Sequence, residues 1–511
     1  MNTTQLPKKV TLTSVCCDTV ITHDVSEEFT LPDYVAEVRK ILFTRANVLP
    51  ESKYISDTQG GASVDFGGTV TYFVIYTDDE GKLCSTPLSS NYEASMVIKG
   101  NPSEVFIDTV CDNVTTRVTA PRKLTIKTRL KSRALAFENK ELEESISQKS
   151  SADELFIERL FEATSTLSLK SSSLQNIRMS EKFDTPSRKS LRPIICDAFA
   201  CLKDVKVSSN SISCHGEVCV KCLCESEGEL FTLTKTMPIY EEVECEGSSI
   251  GDMAGANVRC VSLSISSEEN EDSCELFFDI TCEIDAELFR NVENSLTKDC
   301  YSTKYDMEAS LKSIDLYSAV KCSNASVSIN ESVKRKGKES VEIVDVIADS
   351  VLEKYEIKGE CACIFGRLYA NVIGKSKAND NGDFEYLSES YEVPFKYDCD
   401  LGKKCENPIV RVNFNTAVTS SKLSDDKFFL GAEIYPTISI IDRSSCQILD
   451  HATLKKDTEF KNDASCVRIF FPKNGDTLWE VAKKYHTTQA KIIEQNSLSD
   501  ASLCGVKSII I

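Results

Sequence analysis

The sequence is short of several things, and each shortage narrows the reading. It has no run of about 18 apolar residues, so no stretch suits a bilayer-spanning helix and membrane insertion is not expected. Residues 1–18 carry two lysines but neither an apolar h-region nor a small-residue cleavage site, so no export signal is read there. Histidine is scarce: only His23, His215, His451 and His486 occur, and none falls in a recognised catalytic pattern. Basic residues are outnumbered, 59 Lys and Arg against 79 Asp and Glu, for a formal net charge of −20. Bulk electrostatics therefore exclude nucleic acid and anionic membrane as partners of the body. Tryptophan is nearly absent, and the single residue, Trp479, stands in the most patterned stretch of the chain.

What is plentiful is cysteine, 23 in 511 residues. Without export, disulfides are not expected to persist, and an odd count leaves at least one sulfur unpaired within the chain. The expectation is a soluble intracellular protein with free thiols. Cys214, Cys219, Cys222 and Cys224 form the strongest metal candidate, with one C-x-x-C, but a zinc site needs convergent thiolates. On a strand, Cys222 and Cys224 point together and away from Cys219. Cysteine as a small apolar core residue explains the run better, and Cys361 and Cys363 read the same way. Gly374-Lys375-Ser376 resembles the end of a phosphate-binding loop, but Tyr369 stands where its first glycine belongs and a hairpin replaces the helix. Asn379-Asp380-Asn381-Gly382 fails as a calcium loop, because Lys377 and Ser388 would hold its first and last ligand positions. No catalytic residue, metal or cofactor is expected, and the chain is read as non-enzymatic.

The dominant signal is repetition. Three blocks about 150 residues apart carry a short signature: Ser26-Glu27-Glu28-Phe29, Ser180-Glu181-Lys182-Phe183 and Asn330-Glu331-Ser332-Val333. Each then has a glycine opening an alternating strand (Gly68, Gly216, Gly366) and a polar turn with a second glycine (Gly81, Gly228, Gly382). The turns read as hairpins in which glycine supplies a positive φ. An aromatic follows on the return strand, at Tyr92, Tyr240 and Phe395, and the last strand pair opens at Leu124, Leu276 and Phe428. Period-two alternation rich in β-branched and aromatic residues predicts all-β sandwich or barrel blocks. Between the first two blocks, Ser151 and Glu154 make a capping box, and Phe156/Leu160 and Ile157/Phe161 are i,i+4 pairs, which predicts a helix. The segment 301–311 occupies the equivalent place after the second block. The expected organisation is three β domains over 8–163 (with that helix trailing), 164–310 and 311–454, a charged linker over 455–463 and a small βααβ module over 464–511.

In that module, 467–471 is a short β-run and 472–475 a turn. Asp476 reads as a helix N-cap. Leu478, Val481, Ala482 and Tyr485 share one apolar face, and Glu480 and Lys484 form an i,i+4 pair. Thr487-Thr488 caps a second helix that ends at Asn496, and 506–511 closes with a strand. Arg468, Lys473, Lys483, Lys484, Lys491 and Lys507 outnumber Asp476, Glu480, Glu494 and Asp500. A weakly basic tail on an acidic body points to a partner docking there, or simply to a solvated face.

Gly475-Asp476-Thr477-Leu478-Trp479, His486-Thr487-Thr488 and Asn496-Ser497-Leu498, in this β-α-α-β order, resemble a LysM domain over about 45 residues. The resemblance implies a shallow groove for N-acetylglucosamine glycans, peptidoglycan included, between loops 474–478 and 496–505. It places His486 where the family commonly has glycine, and Ser502-Leu503-Cys504-Gly505 where it has a Pro-Gly-Gln-like turn. Upstream, Leu31-Pro32-Asp33-Tyr34, the glycine-strand-glycine hairpins and Cys300-Tyr301-Ser302-Thr303-Lys304-Tyr305 resemble SPOCS domains. Three such blocks followed by LysM resemble the SipL-like family of spore morphogenetic proteins from endospore-forming bacteria. That resemblance implies a non-enzymatic scaffold in the mother-cell cytoplasm, at the forespore surface, that helps build the spore-coat basement layer. Its LysM domain would dock a coat-forming morphogenetic ATPase (SpoIVA-like). The alternative is a protein that binds peptidoglycan glycan at the cell wall or cortex. For either partner the expected residues are Asp476 and Thr477 shaping the first loop, Trp479, Lys483 and Lys484 as contacts, and Asn496 and Leu498 by the second loop. For Trp479, packing on a neighbouring strand is the competing reading.

Overall fold

Alternation decides almost every element. In the strand Cys274–Ser302, Leu276, Phe278, Ile280, Cys282 and Ile284 are buried while the residues between them are half-buried or exposed. One face packs and the other meets water, which is the period-two signature of a sandwich sheet. The computed structural model describes residues 9–143, 145–147, 156–185, 188, 190–269, 273–337, 341–376, 384–424, 426–460 and 467–511.

The first block runs β1 (Lys9–Thr30), β2 (Lys40–Thr58), β3 (Gly61–Thr77), β4 (Leu83–Lys99), β5 (Glu104–Ala120) and β6 (Lys123–Glu143). They form two antiparallel sheets, ordered β1-β6-β5 and β2-β3-β4. Val70, Tyr72 and Val74 of one sheet meet Leu124, Ile126 and Leu130 of the other in a single buried cluster. After a short β7 (Ser145–Ser147), the second block repeats the plan with β8 (Ile157–Lys182), β9 (Arg192–Ser208), β10 (Ser211–Ser226), β11 (Glu229–Glu244), β12 (Met253–Glu269) and β13 (Cys274–Ser302). Its sheets are ordered β12-β13-β8 and β11-β10-β9. The third block has β14 (Tyr305–Asn324), β15 (Val327–Lys334), β16 (Val341–Lys358), β17 (Cys361–Ser376), β18 (Tyr386–Asp400), β19 (Asn407–Leu423) and β20 (Lys427–Glu459). Here the long first strand is split, and both β14 and β15 pair with β20. The tail adds β21 (Ile469–Phe470), α1 (Leu478–Lys484), α2 (Gln489–Asn496) and β22 (Ile509–Ile510). The fold is mainly β, repeated sheets followed by a small βααβ module.

The repeat signature has a structural meaning. Phe29 pairs with Leu124 and Val333 with Phe428, while the Phe183 amide donates to the Leu276 carbonyl. The repeat glycine sits beside a register shift in each block, between Pro50 and Ser52, between His215 and Gly216, and between Leu352 and Lys354. A Cβ there would run into the Leu49 carbonyl at Gly68, the Cys201 carbonyl at Gly216 and the Phe395 ring at Gly366. Close approach at a bulge is what requires glycine. Tyr92 and Phe395 pair directly with Gly68 and Gly366 and are buried. Tyr240 pairs with His215 instead, one residue off, and a one-residue slip reverses the face. It is 73% exposed, against the edge of the His215 ring.

Four expectations are corrected or fall, in whole or part, outside the described residues. The segment read as a helix is strand from Ile157 onward: Ile157 pairs with Ser302 and Phe161 with Thr297 of β13. A waiting strand partner outweighs i,i+4 apolar spacing; residues 151–155 of that reading lie outside the described residues. Likewise 301–311 is the end of β13 and the start of β14, and 455–459 belongs to β20 rather than to a linker. The turn at 379–382 and residues 461–463 lie outside the described residues.

The blocks face one another through equivalent surfaces. Ile75, Leu223 and Ile373, at matching positions of β3, β10 and β17, meet in one buried cluster. Leu135, Phe289 and Ile441 of β6, β13 and β20 meet in another. Two arginine junctions also cross the block boundaries. Arg45 of the first block pairs with Asp197 of the second (2.7 Å) and Asp349 of the third (2.6 Å). Arg411 of the third block takes Asp108 of the first through two bonds of 3.0 Å and Glu287 of the second at 2.6 Å. One cation thus serves two acids, and burial pushes the Glu287 carboxyl up to about 7, the nearby Asp285 adding to it.

The cysteines divide into two environments. Among the described residues no disulfide joins any cysteine. Cys222 and Cys224 are fully buried in the second block's core, their sulfurs 3.4 Å apart, and Val74 and Val372 fill the position of Cys222 in the other blocks. Cys361 and Cys363 are expected to be core residues too: Cys363 is buried at 4% exposure and Cys361 is half-buried, but both lie on the face of the strand opposite Ala362 and Ile364, which fill the apolar cluster.

Candidate functional site

The tail builds its loops from local capping. The helix N-cap is Thr477, one residue later than expected: its hydroxyl accepts from the Glu480 amide at 3.2 Å, and the Glu480 carboxylate accepts from the Thr477 amide in return. Asp476 instead closes the preceding turn, its carboxylate accepting from the Lys473 amide at 2.7 Å. Gly475 makes that turn possible with a φ of +101°. Thr488 caps α2 as expected, and His486 joins the helices in the left-handed region at φ +54°. The backbone conformation explains why glycine would be at home there.

The expected contact residues separate into three groups. Trp479 is 6% exposed and lies edge-on to Tyr301 of β13, with ring centroids 4.8 Å apart. Its indole N–H donates to the Asp299 carboxylate at 2.9 Å, and Lys483 donates to both oxygens of that carboxylate at 2.7 Å. The Tyr301 hydroxyl donates to the Thr487 carbonyl at 2.7 Å, and His486 stacks on Phe460 at 3.5 Å. Trp479 and Lys483 are therefore committed to the body. Burial raises the Tyr301 hydroxyl pKa, with Glu158 and Asp299 adding to it, so it remains a donor. Burial also lowers His486 below its ordinary value of 6.5.

Asn496 is committed as well, but inside the module. Its amide donates to the Ile492 and Ile510 carbonyls and its oxygen accepts from the Ile510 amide, tying α2 to β22. Leu498 is half-buried against the module's own core. Left exposed are Thr477, whose hydroxyl is spent on the helix cap, Lys484, and a rim of two loops. Lys473, Asn474 and Gly475 on one side, and Ser499–Ser502 with Cys504 and Gly505 on the other, are exposed. Leu503 anchors the second loop from below, and Gly505 turns it with a φ of +79°.

The body's part in this arrangement was not legible. Asp299 and Tyr301 stood out only as part of a repeat segment, and nothing local marks an acid 180 residues upstream as the partner of Trp479. A cavity of about 1820 Å³ where the three blocks meet is lined by both arginine junctions and by balanced charge. Among the described residues no helix is long and apolar enough to cross a membrane.

Comparison with known proteins agrees with this architecture at the tail. The LysM domain model matches residues 473–503, which span the first loop, both helices and the start of the second loop. No curated protein and no solved structure matches the chain. What the comparisons name is thus the C-terminal module, a LysM domain clasped to the end of a repeated β body.

Proposed function

We propose that the chain is a non-enzymatic binding protein whose LysM domain holds an N-acetylglucosamine glycan such as peptidoglycan in the rim between 473–477 and 497–505. The observation that carries this reading is that the LysM match falls on loops left exposed while α1 is spent on the body. A glycan offers hydroxyls and acetamides, which exposed backbone amides and small polar side chains at such a rim can satisfy. The test is retention of the full chain on insoluble peptidoglycan with competition by soluble N-acetylglucosamine oligomers. Retention that vanishes when 467–511 is removed supports the proposal, and retention of the body alone, or no retention at all, defeats it.

A second reading is favoured by a different surface. Val467, Ile469, Phe471 and Ile510 are 76%, 57%, 67% and 47% exposed, and Ile469 pairs directly with Ile510 across β21 and β22. Large apolar side chains grouped on one face suit a protein partner better than a sugar. With the order of modules, this supports a scaffold at the forespore surface in the mother-cell cytoplasm, docking a coat-forming ATPase during spore-coat assembly. A chain that ignores peptidoglycan but loses a purified coat ATPase on Phe471→Ser would favour this reading over the first.

A further inference from the structure

On β17 the alternation places Ala362 and Ile364 in the third block's core and Cys361 and Cys363 on the other face. There the thiols have charged cross-strand neighbours. Cys363 lies between Glu356 of β16 and Asp398 of β18, and Cys361 between Lys358 and Asp400. One sulfur from each cysteine and a carboxylate oxygen of Asp398 all lie within 4.8 Å of one another. The other blocks offer no such pair: counted back from the repeat glycine, the same positions are Ser211 and Ser213 in β10, and Ser63 and Asp65 in β3. Cys363 is buried and Cys361 half-buried on the face away from Ala362 and Ile364, beside an exposed carboxylate, and neither sister block has a thiol pair at these positions.

We propose that Cys361, Cys363 and Asp398 form a binding site for a thiophilic divalent cation of the zinc type, with water in the fourth position. Thiolate sulfur at about 2.3 Å and carboxylate oxygen at about 2.0–2.2 Å from a tetrahedral ion need ligand atoms roughly 3.5 Å apart. Rotation about the side-chain bonds closes the observed spread without moving the strands. Soft sulfur ligands select zinc over calcium or magnesium, which the carboxylates alone would not do. Loading releases both thiol protons to solvent and exchanges the Lys396 ammonium, now 2.6 Å from Asp398, for the cation. Two thiolates and one carboxylate leave the loaded site one negative charge, which Lys396 and Lys358 lie near enough to offset.

The test uses the full chain, reduced and stripped with a chelator, then titrated with Zn²⁺ against a chromophoric competitor. The expected result is one equivalent held by the wild type and lost in C361S/C363S, with D398N weaker by about tenfold or more. In the unmutated protein, Zn²⁺ should shield Cys361 and Cys363 from alkylation, read by peptide mass spectrometry with the other cysteines as internal controls. This second readout does not depend on the variants folding. Equal zinc stoichiometry in wild type and C361S/C363S, or unprotected Cys361 and Cys363 at saturating Zn²⁺, overturns the site.

Discussion

The joints between the blocks and the joint between body and tail are built on different principles. Block meets block through equivalent apolar surfaces, Ile75 with Leu223 and Ile373, and through buried arginines shared by two acids. Tail meets body through the Asp299 carboxylate, two aromatic contacts, the Tyr301 hydroxyl on the Thr487 carbonyl, and a small apolar contact of Tyr301 and Leu160 with the module's core. Apolar area contributes in proportion to what is buried, and a fully desolvated charge loses heavily if its partner is removed. Partly exposed polar contacts contribute far less. The body should therefore behave as one cooperative unit, and the LysM domain as a hinged attachment that can leave without unfolding anything.

The strongest way to break the first joint is Arg411→Ala. Removing the cation that Asp108 and Glu287 share leaves the buried Glu287 unpaired, with the half-buried Asp108 and Asp285 nearby, a loss of about 3–5 kcal/mol. Denaturant unfolding of the body should show it in full, and a change under about 1 kcal/mol would mean the junction is solvated. A smaller effect is expected from Asp299→Ala, which removes the acceptor of both Trp479 and Lys483 and costs about 2 kcal/mol of docking. Because Trp479 is the chain's single tryptophan, its emission reports docking directly. Emission should shift to the red and become open to quenching while the body's melting temperature stays put. An unshifted spectrum would show that the apolar contacts alone hold the tail.

The same contrast explains what the sequence disclosed. Local rules were sufficient for the tail's helices, because caps such as Thr488 and turns such as Gly475 act within a few residues. The β blocks were legible from alternation and from glycines that mark bulges, as at Gly68 and Gly216. Long-range pairing was not legible. Residues 157–161 carry helical spacing yet form strand, because β13 supplies a partner more than a hundred residues away. The contact residues suffered likewise. Trp479 and Lys483 have the look of ligand contacts, and only the fold shows Asp299 and Tyr301 occupying them. Asn496 ends α2 beside the second loop, but its hydrogen bonds to Ile492 and Ile510 are invisible until the strand is laid down.

The finest probe of the difference is pH. His486 stacks on Phe460 at the joint, and burial holds it below its ordinary value of 6.5. Above that value it is neutral whether the tail is docked or free, so docking has its full strength. As pH falls through 6.5, the free tail takes up a proton before the docked one does, and docking weakens until the docked histidine is protonated too. Acidification from pH 7.5 toward 5.5 should therefore red-shift Trp479 emission with the body unchanged. His486→Asn is the control that isolates the ring, because asparagine tolerates the left-handed φ of +54° that alanine would strain. If the pH dependence survives in that variant, a group other than the His486 ring drives it.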